Sequence, residues 1–230
     1  MLLGVVSLLA GGFLLRELEQ PTPVALRGEQ LPALVGRGGL PAALGGLRSV
    51  VAGGAWLRAN LAWERRDAAD MAALLELTVA ADERPAYFWL NGARMLAYDV
   101  PQWLPATTPE AVRQRVGERE AQRALDFLEK GLRWHGADAH LYVEQANIHL
   151  RRRGDLEGAA RCYRLAAEQP GAPHYAGRIL AELLVELGRP QEALAWLRQI
   201  LPDLPAGDPA ARREVVLERI RTLERALAGR

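Results

Sequence analysis

Four histidines, one cysteine and two serines are the side chains of this 230-residue chain from which a metal site or a nucleophile would ordinarily be built. His140 and Glu144 lie one helical turn apart, as two ligands on one helix face would. The His-Glu-x-x-His pattern that sets two imidazoles and a base on that face is missing, and His135, His149 and His174 have no ligand-spaced partner. Asp67 and Asp70 in "DAAD" put two carboxylates three residues apart at a helix start, where capping accounts for them. Ser7 and Ser49 are the only serines, and neither sits in Gly-x-Ser-x-Gly. Cys162, the single cysteine, rules out a disulfide or an all-cysteine zinc site within one chain, and it reads as a small buried hydrophobe on a helix. The glycines of "VGRGGLPAALGG" depart from the phosphate-cradling Gly-x-x-x-x-Gly-Lys-Ser/Thr pattern, and no strand precedes them. No catalytic residue, metal or cofactor is expected, and the chain reads as a non-enzyme with no small-molecule substrate.

Charge narrows the field further. The formal net charge is +1, so no global field favours nucleic acid or an acidic substrate. "RRRGD" and "ARREVVLERIRTLER" are locally basic, yet no aromatics interleave with them as stacking platforms would, and both read as solvated faces. Nucleic acid is therefore not an expected partner. Lys130 is the only lysine among 29 basic residues, the codon signature of a GC-rich, bacterial genome.

The elements that must position any site are helical. "MLLGVVSLLAGGFLL" is 15 residues without a charge, ended by Arg16. It lies between the length of a signal h-region and that of a spanning helix. Residues 1–16 are read as an uncleaved membrane anchor, with a signal peptide or a soluble hydrophobic helix as alternatives. Arg16, Arg27 and Arg37 follow it, which favours a cytoplasmic C-terminal part, but the side of the membrane stays open. Residues 17–46, with Pro21, Pro23, Pro32 and Pro41 among glycines, read as a linker. From residue 47 onward apolar residues recur at helical spacing and no strand is expected. Asp67 is expected to cap one helix, and Thr108 with Pro109 at the first helical position to open another.

An internal repeat organises this helical part. Gly154 aligns with Gly188, Ala159 with Ala193, Tyr163 with Leu197 and Ala166 with Ile200, each at a spacing of 34. The same template fits Ala124, Leu128, Gly131 and Gly136, and is placed on Ala73, Leu77, Ala80 and Pro85. A small residue, a large one four on and a small or medium one seven on let antiparallel helices approach closely. In "LAELLVELGRPQEALAWLRQILPDLP", with Ala181 at the small position of the first helix, the pattern closely resembles the tetratricopeptide repeat family. The resemblance covers about residues 50–205 and is weaker in its first half. It implies an all-α fold, a right-handed α-solenoid of helix–turn–helix repeats with a C-terminal capping helix.

The expected units are repeat 1 at 47–85, repeat 2 at 86–137, repeat 3 at 138–171, repeat 4 at 172–205 and the capping helix at 207–230. Ala73 and Ala124 are 51 apart, 17 beyond a regular unit. Repeat 2 is thus expected to carry an insertion at about 99–115, including Asp99, Pro101 and Trp103. The capping helix is expected to start at Asp208 and Pro209, with Val215, Val216, Ile220, Leu223 and Leu227 as its apolar stripe.

"PAYFWLNGARMLAYDVPQW" at 85–103 holds five of the 14 aromatics. Trp89 falls on the packing face. Tyr87, Asn91, Arg94 and Tyr98 share another face at i, i+4, i+7 and i+11. In the resembled family the first helices line a peptide groove, which implies groove roles for these four, for Glu144 or Gln145, and for Tyr175, Arg178 and Glu182. Bracing of the insertion by the tyrosines is the competing account. The expected function is a membrane-tethered protein–protein interaction scaffold with a protein or peptide partner. The alternative is a structural subunit of a larger membrane complex, assembled through its convex face or capping helix.

Overall fold

The computed structural model describes residues 47–229, so the expected anchor at 1–16 and linker at 17–46 lie outside the described residues. The fold is all-α, and among the described residues there is no β-strand. In chain order the helices are α1 (Arg48–Glu64), α2 (Ala68–Ala81), α3 (Ala86–Arg94), α4 (Glu110–His135), α5 (Ala139–Ile148), α6 (Leu156–Ala167), α7 (His174–Glu186), α8 (Pro190–Ile200) and α9 (Arg213–Ala228). Each packs against its successor along the chain, and α3 also touches α5. Among the described residues no helix is long and apolar enough to cross a membrane.

Local chemistry sets most boundaries. Asp67, Asp138 and Asp155 cap α2, α5 and α6, each accepting hydrogen bonds from first-turn backbone N–H groups at 2.8–3.0 Å. Gly154 and Gly188 lie at φ 62° and 76°, the left-handed conformation in which a helix can reverse into its antiparallel partner without a Cβ clash.

Alanine and glycine then let the helices close up. α1 buries Ala52, Ala55, Ala59 and Ala62 at 3–4 residue spacing. A Cβ on Gly131 would stand 3.0 Å from the Trp89 ring, and one on Gly92 would stand 2.9 Å from Phe127. Two apolar cores result. The first joins α1 to α4, and the second joins α6 to α9. α5 serves both, sending Leu141 and Ile148 to the first and Val143 and Ala146 to the second.

Four expectations are corrected. Ala73, Leu77 and Ala80 are half-buried, whereas Met71, Leu75 and Thr78 are fully buried at the same i, i+4, i+7 spacing two residues earlier. α2 is apolar on most sides, so spacing alone allowed both registers, and the contact with α1 selects one. Thr108 does not cap α4. Pro109 stands at the cap position without a side-chain bond, while Arg113 donates to the carbonyls of Pro105, Ala106 and Thr108 at 2.7, 3.0 and 3.2 Å. The last helix begins at Arg213 rather than Pro209. Asp208 instead holds a turn through the Ala210 N–H, and this turn lets Ala211 bury completely in the second core. Finally, Val216, Ile220 and Leu223 are buried while Val215 faces solvent, so the stripe excludes Val215.

The α2–α3 connection is a polar knot. The Asp82 carboxylate, almost fully buried, accepts from Arg84 Nε at 2.7 Å, Arg84 Nη2 at 2.9 Å and Ser49 Oγ at 2.8 Å. Arg48 pairs with Glu83 at 2.6 Å, and the Glu83 carbonyl accepts from Trp89 Nε1 at 2.8 Å. The Arg84 hydrogen bonds, helped by Ser49, hold the Asp82 carboxyl well below the usual carboxylate range against the opposing effect of burial. The folded chain therefore holds this proton less tightly than the unfolded one. The stabilisation is complete above about pH 4 and is lost as pH falls. Asp82→Asn is expected to cost about 1–3 kcal/mol at pH 7 by urea denaturation, with the gap to the parent chain narrowing towards pH 3. An unchanged gap across that range would show that the charge is not what stabilises the knot.

Candidate functional site

The aromatic segment divides its work. Trp89 is buried with its ring centroid 4.9 Å from that of Phe127. Phe88 and Tyr87 pack on Trp56 of α1, at centroid distances of 5.3 and 5.4 Å. Three adjacent aromatics thus fasten α3 to α4 on one side and to α1 on the other. Tyr87 still leaves 56% of its surface in solvent. Asn91 donates to the Tyr87 carbonyl at 2.9 Å and stays on its own helix.

Beyond Arg94 the helix widens into a π turn, Met95–Asp99, followed by a helical turn, Val100–Gln102. Such a turn re-aims the side chains that follow it. Asp99 accepts from Trp63 Nε1 at 2.7 Å, which ties the start of the insertion back to α1. Trp103 is half-buried against the first core, and Pro101 lines a cavity against α4.

Arg94 reaches across to α5. Its Nε and Nη2 hold Glu144 Oε2 at 2.8 and 2.7 Å, joining residues 50 apart in sequence. The Glu144 side chain is only 3% exposed and that of Arg94 is 52% exposed. Tyr98 lies beside this pair. Burial pushes its hydroxyl up to about 12, the Glu144 charge reinforces this, and Arg151, Arg152 and Arg94 oppose it. Tyr163 is pushed to about 12 in the same way, with Arg151, Tyr175 and Glu144 acting on it, and it donates to Asn147 Oδ1 at 2.8 Å. Arg94, Tyr98, Glu144, Arg151, Tyr163 and Tyr175 are therefore electrostatic neighbours. Gln145 is half-buried on the same helix as Glu144.

The remaining expected residues are engaged elsewhere. Arg178 donates to the Ala210 and Ala211 carbonyls at 3.2 and 2.9 Å, and Glu182 pairs with Arg219 of α9. The chain's own C-terminal segment thus occupies both. Tyr175, one residue from the N-terminus of α7, remains 43% exposed.

Three of the four histidines have structural partners. His135 Nε2 lies 3.1 Å from the Glu83 carbonyl, His149 Nδ1 lies 2.9 Å from Asp155 Oδ2, and His174 Nε2 lies 3.4 Å from Asp208 Oδ2. His140 is exposed, and Glu144 is turned away from it to Arg94. Among the described residues no three histidine, cysteine or carboxylate side chains gather as a metal-binding group. Burial pushes the Cys162 thiol up to about 11, which disfavours the nucleophilic thiolate at neutral pH.

Arg151 and Arg152 belong to this neighbourhood, although the run of arginines reads as a solvated face. The signal available was their place at a helix end. α5 finishes in a second π turn, His149–Arg153, after which Arg152 lies over Gly117 and Arg153 pairs with Glu118. No family model, no curated protein and no solved structure matches the chain.

Proposed function

We propose that the chain is a membrane-tethered protein–protein interaction scaffold, a tetratricopeptide-like α-solenoid whose first helices present a partner groove. The observation that carries this reading is the Arg94–Glu144 pair. It clamps the first helices of two successive helix pairs side by side and leaves Tyr87, Arg94 and Tyr175 accessible. Rigid aromatics and arginine are the residue types that dominate interface energetics. The packing of each helix on its successor supports a solenoid, and α9, with Val216, Ile220 and Leu223 in the second core, supplies its cap. Tethering is drawn from the uncharged run at residues 1–15.

One observation favours the assembly reading instead. Val50, Leu57 and Leu61, between 52 and 69% exposed, line the side of α1 opposite its buried alanines, and Leu47 just before the helix is exposed as well. A helix apolar on two faces suits burial between neighbours. The two readings separate by photocrosslinking the full chain in its native membrane, with a benzophenone amino acid at Tyr87, Tyr175 or Leu57. A groove scaffold gives the same protein adduct from Tyr87 and Tyr175, and the chain stays in the membrane pellet through carbonate extraction. Adducts from Leu57 alone would support the structural subunit and overturn the groove. Release of the chain by carbonate would overturn the tether.

A further inference from the structure

The insertion builds a cavity that the groove reading does not use. It is open to solvent, has a volume of about 540 Å³, and lies between Pro101 and Gln102 on one side and Glu110, Arg113, Gln114, Gly117 and Glu118 of α4 on the other, with Arg152 reaching in from α5. The π turn at the end of α5 makes this arrangement possible. Arg153 turns to α4, where it pairs with Glu118 at 2.8 Å and donates to Gln122 at 3.3 Å. Arg152, one residue earlier, points instead over Gly117, its Nη2 3.5 Å from where a Cβ on that glycine would stand.

Among the described residues Arg152 pairs with no acid. Its Nε is buried without a partner, so the side chain is seated against the protein rather than extended into water. Arg113 is fixed too, but by three backbone carbonyls, which orient a guanidinium without neutralising its charge. Of the two acids at the cavity, Glu118 is already matched by Arg153, and Glu110 is exposed in the first turn of α4. Two oriented guanidinium groups, neither in an ion pair among the described residues, thus face one cavity, with the side-chain amides of Gln102 and Gln114 beside them. Guanidinium forks match planar oxyanions in two-pronged hydrogen bonding.

We propose that this cavity is a carboxylate-binding site, with Arg152 as the group that takes the ligand's oxygens and Arg113 as the supporting charge. Glu110 and Glu118 at the cavity favour a singly charged carboxylate over a doubly charged phosphate, because repulsion from both acids grows with ligand charge. The site borders the groove near Tyr98 through Arg152, yet it stands whether or not the groove binds a partner.

Calorimetric titration of the detergent-solubilised full chain at low salt and pH 8 tests this with three probes: acetate, a capped peptide carrying a single glutamate, and inorganic phosphate, which is largely doubly charged at that pH. Saturable binding of at least one carboxylate probe is expected, with phosphate at least tenfold weaker. Acetate alone would assign a free small acid, and the peptide alone a carboxylate carried on a protein segment. Arg152→Gln is expected to weaken the binding at least tenfold. Glu110→Gln, an exposed change that leaves the packing intact, is expected to tighten it severalfold. Failure of both carboxylates to bind, equal binding by phosphate, or affinities unmoved by both substitutions would each overturn the proposal.

Discussion

Phe127→Ala is expected to lower the free energy of unfolding by about 3–5 kcal/mol, measured by urea denaturation. Phe127 is 1% exposed and lies against Trp89 and Gly92 of α3. Trp89 bounds it on one side and Gly92 on another, the missing Cβ of Gly92 leaving the room that its ring fills. Neither neighbour can swing into the void that alanine leaves. Trp89 is held by its indole hydrogen bond to the Glu83 carbonyl, and Gly92 has no side chain to move. The geometry also predicts a coupling. Gly92→Ala alone would place a Cβ 2.9 Å from the ring and cost about 1–3 kcal/mol through overpacking. In the Phe127→Ala background the same methyl group enters the cavity, and the double variant should be more stable than the sum of the two losses. Strict additivity would mean that the two residues do not share that space.

The second large effect belongs to the pair at the centre of the candidate groove. Arg94→Ala is expected to cost about 2–3 kcal/mol, because it strands the buried Glu144 carboxylate without its counter-charge. The figure lies below the usual cost of breaking a buried pair, because the half-exposed Arg94 already shares its charge with solvent. Replacing both partners, as Arg94→Ala with Glu144→Leu, removes the stranded charge and should recover most of the loss. A double-mutant cycle by chemical denaturation reads this directly. A cost below about 0.5 kcal/mol for Arg94→Ala would show that water reaches Glu144, and that α3 and α5 are held together by other contacts. Because the pair is structural, any loss of partner binding in an Arg94 variant has to be compared at matched stability.

Much of the architecture is legible before any coordinates. Asp67 announces a helix start because its carboxylate can reach the N–H three residues on. Gly154 and Gly188 announce helix ends because they can adopt positive φ. Ala124, Ala159 and Ala193 mark the close-packed faces, and all three are fully buried. These are signals carried within a few residues, where the chain's own chemistry decides the outcome.

The candidate site is legible only in part. Tyr87, Arg94 and Tyr98 can be placed on one helix face by spacing, and Glu144 on another. The bond between Arg94 and Glu144 spans 50 residues and an insertion, so no local pattern encodes it. Arg178 and Glu182 look free in sequence, but α9 and the turn before it occupy them. That helix starts later than its local sequence suggests for the same reason: Asp208 and Pro209 form a good local start, yet Ala211 is buried in the second core and the helix begins at Arg213.

The sequence by itself thus determined that the chain is helical, where some of its helices begin and end, and that a unit of 34–35 residues repeats from Ala124 to Ala193. The tertiary structure alone decided which face of α2 is buried, which arginine of the run at 151–153 meets an acid, and which expected groove residues stay open. The physical reason is that capping, helix termination and periodicity act over a few residues. Burial and charge pairing depend on which surface the rest of the chain brings alongside.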